Sequence, residues 1–246
     1  MKASSSDNNI IISGDSWGCG EWGYDGKLLH KGLEQYLLDD GKQVTNCSVG
    51  GYSNENSIND LRKLLETYTD DCTIFWIQTD PIRDIRPFWR LPDNELPYRT
   101  LPEEIQKHNG YDNLCRALLR KHYTELNSLG RPIHLIGGKW DIDTTLLEGL
   151  NNLKPTVISW VKLLVGHIEK YNRLFPFRTA SDYIAEHFKF NLYTDELRYR
   201  VVDEFHYTSL CWQIFDENTI FHPDKGHPNR DGHYKLFEYL KKELTL

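Results

Sequence analysis

Ile10-Ile11-Ile12-Ser13-Gly14-Asp15-Ser16-Trp17-Gly18 is the stretch on which the reading of this chain turns. Three consecutive β-branched residues favour an extended strand, and a run without polar alternation is buried on both faces. The Ser-Gly-Asp-Ser that follows ends the strand. Gly and Asp form turns, and Asp or Ser accepts the unpaired N–H groups at a helix start. The stretch therefore places Ser16 at the tip of a buried strand. Taken alone, the pattern fits an ordinary capped turn as well as it fits a nucleophile. Gly14 to Gly18 also fits Gly-x-Ser-x-Gly, the nucleophile elbow of α/β-hydrolases, but that elbow normally follows several strands and this serine follows the first.

Outward from this strand, apolar runs alternate with amphipathic ones. Lys27 to Asp40 carries Leu28, Leu29, Leu33, Tyr36 and Leu37 at helical spacing, with Gly41 as a C′ glycine. Gln43 to Val49 reads as a second strand, Ser57 to Tyr68 as a helix, Thr73 to Gln78 as a third strand. Asp112 to Leu129 is helical and closed by Gly130, and Arg131 to Gly137 is a fourth strand. Thr156 to Val165 fits a fifth strand or a buried helix. Asp195 to Asn218 and Asn229 to Leu244 read as helices. This alternation predicts an α/β fold of three layers, a parallel sheet with crossover helices on both faces, and ligands beyond the carboxyl ends of the strands. A length of 246 residues suits one domain over 1–246. Residues 81–110, rich in Pro and aromatics, form an insertion that reads as a lid, a binding rim or a surface excursion.

A second block lies near the other end: His222-Pro223-Asp224-Lys225-Gly226-His227-Pro228-Asn229, followed by Gly232-His233. For a serine to attack a carbonyl, a neutral imidazole must take its proton, and a carboxylate must hold the other ring nitrogen as a donor. Asp224 and His227, three residues apart on one Pro-stiffened loop, supply both. The block also fits a polar turn before the last helix. A metal site built from His222, Asp224, His227 and His233 is a further alternative, one that leaves Ser16 without a role.

The two blocks together resemble those of the SGNH/GDSL hydrolase superfamily. The likeness is carried by Gly14-Asp15-Ser16, by Asp224-x-x-His227, and by the continuation His227-Pro228-Asn229-x-x-Gly232-His233. It implies a flavodoxin-like five-stranded parallel sheet of order 2-1-3-4-5. It also implies ester hydrolysis through an acyl-serine, with Ser16 as nucleophile, His227 as base and Asp224 orienting His227. In that family the oxyanion is held by the serine N–H, a glycine N–H after the second strand and an Asn side chain after the third. Here the glycine would be Gly51, or second Gly50. At the Asn position the chain departs and reads Gln78-Thr79-Asp80-Pro81, which puts Asp80 there. An ionised Asp has no proton to donate, so the alternatives are a protonated Asp80, or Thr79, Gln78, Asn54 or Asn56 as donor.

Trp17 and Tyr52 are the expected substrate contacts, with Trp22 and Tyr24 nearby, and all four also fit plain packing. Arg83 and Arg86 fit either an anionic substrate group or a solvated surface. The resemblance implies no cofactor and no metal. Its substrates would be O-acetylated sugars, lipid-like esters or thioesters. Two other functions stay open on the same fold, an acyltransferase and a non-enzymatic module that binds carbohydrate or protein.

Composition narrows the field. A net charge of −7 provides no electrostatic footprint for nucleic acid. No apolar run approaches the ~20 residues of a membrane span. The start, Met1 to Asn9, is polar and lacks the apolar core of a secretory signal. Five cysteines, an odd count without pairing pattern, suit reduced thiols in a soluble cytoplasmic protein. Association with a virus particle is equally compatible with this composition.

Overall fold

The structure, a computed structural model, describes residues 9–23, 26–68, 71–84, 106–138, 141–160, 163 and 227–246. Strand β1 (Asn9–Ser13) is followed by a single helical turn, α1 (Ser16–Cys19), and a short hairpin of β2 (Glu21–Trp22) and β3 (Leu28–His30). Then come α2 (Leu33–Asp39), β4 (Gln43–Asn46), α3 (Asn54–Thr67) and β5 (Thr73–Gln78). Helix α4 (Tyr111–Asn127), β6 (Ile133–Gly137), β7 (Leu153–Val157) and the closing helix α5 (Arg230–Leu244) complete the described elements.

Five strands form one parallel sheet in the order β4-β1-β5-β6-β7, which is the 2-1-3-4-5 arrangement. The central strand explains the layers. Ile10, Ile11 and Ile12 are all fully buried, yet alternate residues face opposite sides. Ile10 and Ile12 pack with Phe75, Ile77 and Ile136 against Leu33 and Leu37 of α2 and Leu236 and Leu240 of α5. Ile11 packs with Ile74, Trp76 and Leu135 against Ile58 and Leu61 of α3 and Leu119, Tyr123 and Leu126 of α4. Each such side chain contributes roughly 1.5–3 kcal/mol relative to exposure, so both faces of β1 must be covered. A three-layer α/β/α fold is the result.

Four elements differ from the sequence reading by three residues or more, each for a local reason. Lys27 to Asp40 is not one helix. Leu28–His30 pairs antiparallel with Glu21–Trp22, and the helix starts only at Leu33. Leu28 and Leu29 match the helical period but lie on the hairpin, 43% and 53% exposed. The far end is as expected: the N–H groups of Gly41 and Lys42 bond to the carbonyls of Leu38 and Leu37, the Schellman pattern. Strand β4 stops at Asn46, whose side chain accepts from Ser48 N (3.0 Å) and donates to Gly18 O (2.9 Å). Helix α3 starts earlier than its apolar stripe because Ser53 caps it, accepting from Asn56 N. The fifth strand is Leu153–Val157, and its interior Pro155 broke the apolar run in the sequence. Proline is tolerated there because β7 is an edge strand.

Of the insertion over 81–110, the described part is a 3₁₀ turn at Pro81–Asp84 and the lead into α4. Asp195 to Asn218 lies outside the described residues, as do His222 and Asp224. Among the described residues no helix is long and apolar enough to cross a membrane. Among the described residues, Cys19, Cys47, Cys72 and Cys115 form no disulfide.

Candidate active site

Residues 14–16 form a sharp turn at the carboxyl end of β1, and Gly14 is what lets it lie so close to β5. A Cβ there would sit 2.8 Å from Ile77 Cβ and 3.0 Å from Ile77 O, too near for any side chain. The cap of α1 is Asp15. Its Oδ1 accepts from Trp17 N at 3.0 Å, which frees the Ser16 hydroxyl from capping. Ser16 opens the turn, buried but for 8% of its surface. Its carbonyl accepts from Trp22 Nε1 at 2.9 Å.

A histidine from the other end of the chain meets Ser16. His227 Nε2 lies 2.8 Å from Ser16 Oγ, across 211 residues of sequence. Helix α5 puts it there. Asn229 caps α5 by accepting from Gly232 N, and several ties hold the helix start to the first half of the chain. Arg230 Nε donates to Glu21 Oε2 of the hairpin at 2.9 Å, and Tyr36 OH donates to Arg230 O at 3.1 Å. Trp160 Nε1 donates to Gly232 O at 3.3 Å, and Leu33 N donates to His233 Nδ1 at 3.3 Å.

That last contact makes His233 a packing residue. It is fully buried, edge-on to Trp160 at 4.9 Å between ring centroids. Burial, with smaller contributions from His30 and His227, pushes its pKa down to about 3. The unfolded imidazole titrates near 6.5, so below that pH the unfolded chain binds a proton that the folded one refuses. Stability should be full above about pH 6.5 and fall by about 1.4 kcal/mol per unit below it, on the order of 2 kcal/mol by pH 5. His134, held down to about 4 by burial, acts in the same sense. Urea unfolding at pH 7 and pH 5 measures the loss, and His233→Gln should reduce the slope. A wild-type stability equal at both pH values would contradict this placement of His233.

The loop after β5 carries the chain's departure from the expected Asn. Gln78 is 1% exposed, donates from Nε2 to Asp141 O at 3.0 Å and accepts from Tyr123 OH. Thr79 donates its hydroxyl proton to Asp15 Oδ2 at 2.6 Å. Asn54 is fully buried, accepting from Thr79 N at 3.0 Å and donating to Thr79 O and Asp84 Oδ2, both at 3.2 Å. Asn56 is exposed on α3. Gln78 Nε2, the Thr79 hydroxyl and Asn54 Nδ2 thus brace the loop in this structure. Asp80, which stands at the Asn position in the sequence, is 3% exposed.

Across the turn, Tyr52 N bonds to Val49 O at 3.2 Å, and Gly51 sits at φ +80°. A Cβ on Gly51 would touch nothing within 4 Å, so glycine is required there for conformation and not for space.

The aromatic expectations divide. Trp17 is 2% exposed and packs edge-on against Trp160 in the core, with centroids 5.3 Å apart. Tyr52 is half-buried and directs its hydroxyl to Asp60 Oδ2 at 2.7 Å. Trp22 is half-buried, 6.1 Å from the His227 ring between centroids, and flanks Gly50. Arg83 points inward, to Asp15 Oδ2 at 2.9 Å. The Cys19 thiol, on α1, is pushed up to about 12 by burial and by the charges of Asp15 and Glu34, which keeps it an unreactive thiol. Tyr24 and Arg86 lie outside the described residues.

No family model matches the chain, and no curated protein matches it in sequence. It is similar to several solved structures. One is the psychrotrophic esterase EstA from Pseudoalteromonas sp., inhibited by monoethylphosphonate, at 13% identity and a TM-score of 0.45 over 97% of this chain and 100% of that one. Another is a member of the lipolytic protein G-D-S-L family from Veillonella parvula, at 15% identity and TM-score 0.40 over 96% of this chain and 98% of that one. A family 3 carbohydrate esterase from Clostridium thermocellum is 11% identical, with TM-score 0.41, over 96% of this chain and 94% of that one.

Proposed function

We propose that this protein hydrolyses carboxylic esters through an acyl-serine intermediate. The observation that carries the proposal is the 2.8 Å approach of His227 Nε2 to Ser16 Oγ at the carboxyl end of the central strand. A buried serine and a half-buried histidine at hydrogen-bond distance, joined from opposite ends of a chain, suit the nucleophile–base pair of acyl transfer. His227 accepts the hydroxyl proton as Ser16 Oγ bonds to the ester carbon. The oxyanion that develops is held by the N–H groups of Ser16 and Gly51. It collapses as the ester C–O bond breaks, and His227 returns the proton to the departing alcohol. Water, activated by the same imidazole, then releases the acid and restores Ser16. Asp224, three residues before His227, is the carboxylate proposed to keep the Nδ1 proton in place. No cofactor takes part in these steps.

A fluorophosphonate tests this directly. It should modify the peptide containing Ser16, and a small activated acetate ester should be hydrolysed. Absence of both reactions would overturn the proposal and favour a binding module on the same fold. Acyl transfer to a sugar hydroxyl in preference to water would mark an acyltransferase.

Asp80 gives a second prediction. An ionised carboxylate at the third donor position opposes the oxyanion, and the neighbouring side-chain protons are engaged elsewhere. Asp80→Asn removes that charge and adds an N–H donor, so kcat/KM should rise, by up to about 10². A fall in kcat/KM would show that Asp80 acts protonated, as a donor in its own right.

A further inference from the structure

Arg83 sits on the 3₁₀ turn Pro81–Asp84, and its side chain is drawn inward over the two segments that the proposed oxyanion hole requires. Its Nη1 donates to Asp15 Oδ2 at 2.9 Å and to Tyr52 O at 3.2 Å. Asp15 immediately precedes Ser16, and Tyr52 immediately follows Gly51. One guanidinium nitrogen thus joins the residues flanking both proposed backbone donors.

The turn that carries Arg83 is itself held from behind. Arg83 N bonds to Asp80 O at 3.1 Å. The neighbouring Asp84 accepts from Glu55 N at 2.8 Å and from Asn54 Nδ2 at 3.2 Å, which fixes it to the start of α3. Asp84 Oδ2 also lies 3.1 Å from Nε2 of the fully buried His122 on α4. Arg83 is therefore a strut between the α3–α4 layer and the nucleophile turn.

Charge adds a second reason for a cation here. The Asp15 carboxylate is 6% exposed and lies one residue from the proposed nucleophile, where negative charge develops during attack. An uncompensated buried carboxylate so close would raise the barrier. The guanidinium offsets it while directing hydrogen bonds to two acceptors at once, which the point charge of a lysine does less well.

We infer that Arg83 is a positioning residue, a clamp that fixes the distance between the Ser16 and Gly51 N–H groups and neutralises Asp15. This rests on the ester-hydrolase reading of the site. It differs from the substrate-anion role that Arg83 fits in sequence, because the guanidinium grips the protein's own backbone and carboxylate. A clamp acts on the chemical step. Its removal should lower kcat, by about 10²-fold if donor spacing relaxes by near an ångström, and leave KM for a neutral acetate ester unchanged.

The test compares wild type with Arg83→Ala, Arg83→Lys, Asp15→Asn and the double variant Asp15→Asn/Arg83→Ala. Arg83→Ala should lose kcat at constant KM, added guanidinium should restore part of it, and Arg83→Lys should fall between. The double variant should lose less than the product of the two single losses, because each partner's role depends on the other. Hydrogen exchange provides a readout that needs no activity. In Arg83→Ala the amides of residues 15–18 and of residues 50–52 should lose protection together, while those of β6 keep it. A raised KM confined to anionic esters, with kcat intact, would overturn the clamp in favour of substrate binding. Loss of protection at only one of the two turns would overturn it as well. If wild type neither hydrolyses esters nor reacts with a fluorophosphonate, the functional reading fails, and hydrogen exchange alone then decides whether the clamp exists.

Discussion

Ser16→Ala should abolish ester hydrolysis and phosphonylation while leaving the fold intact. The fold is spared because Ser16 does little structural work with its side chain. Asp15 provides the cap of α1, the Ser16 carbonyl still receives Trp22 Nε1, and alanine is a good helix residue. What disappears is the oxygen 2.8 Å from His227 Nε2. Loss of a nucleophile from such a pair costs on the order of 10⁴ to 10⁶ in kcat. Turnover of an activated ester and the mass of the Ser16 peptide after fluorophosphonate treatment are the measurements, with thermal unfolding as the control. A variant that kept more than a tenth of wild-type turnover, read against that 10⁴ expectation, would move the nucleophile elsewhere.

The central strands were legible because β1, β5 and β6 are buried on both faces and carry no polar alternation to confuse them. Thr73–Gln78 matches its apolar run residue for residue, and Asn9–Ser13 extends the Ile10–Ile12 run by one residue at each end. Periodicity misled where exposed residues happened to keep helical spacing, as Leu28 and Leu29 did on the hairpin. It also failed where a proline interrupted an edge strand, as Pro155 did in β7. Helix starts were misjudged because caps such as Ser53 stand outside the apolar stripe that announces the helix.

At the site, the meeting of Ser16 and His227 followed from the two end motifs, which chemistry links more strongly than local pattern does. The support around them was not legible. Asp15 gathers Trp17 N, Thr79 Oγ1 and Arg83 Nη1 at one carboxylate, and no spacing rule connects residues 64 and 68 positions apart. Trp17 looked like a substrate contact because it adjoins Ser16, but a helical turn directs successive side chains to different faces, and this one enters the core. The burial of His233 was equally hidden: in sequence it is one more histidine near His227, and only the packing of α5 on α2 gives it a backbone N–H to accept.

His227→Ala should cost nearly as much as Ser16→Ala, and the double variant should cost little more than either alone. The reason is that the two residues perform one act. Without the imidazole the hydroxyl keeps its proton and is a weak nucleophile, and without the hydroxyl the imidazole has nothing to activate. Each single loss should therefore reach about 10⁴-fold or more, and the residual rate in all three variants reflects whatever the backbone donors and binding supply. Independent contributions would instead multiply, and a double variant slower than both singles by a further 10⁴ would refute a shared role. The same pairing fixes the direction of the pH profile. Only the neutral imidazole accepts the serine proton, so wild-type kcat/KM should fall on acidification. That acid limb should vanish in His227→Ala even though stability still declines through His233 and His134. Short assays at each pH, run where unfolding controls show the chain still folded, separate the two effects. An acid limb that survived in His227→Ala would assign the base to another residue.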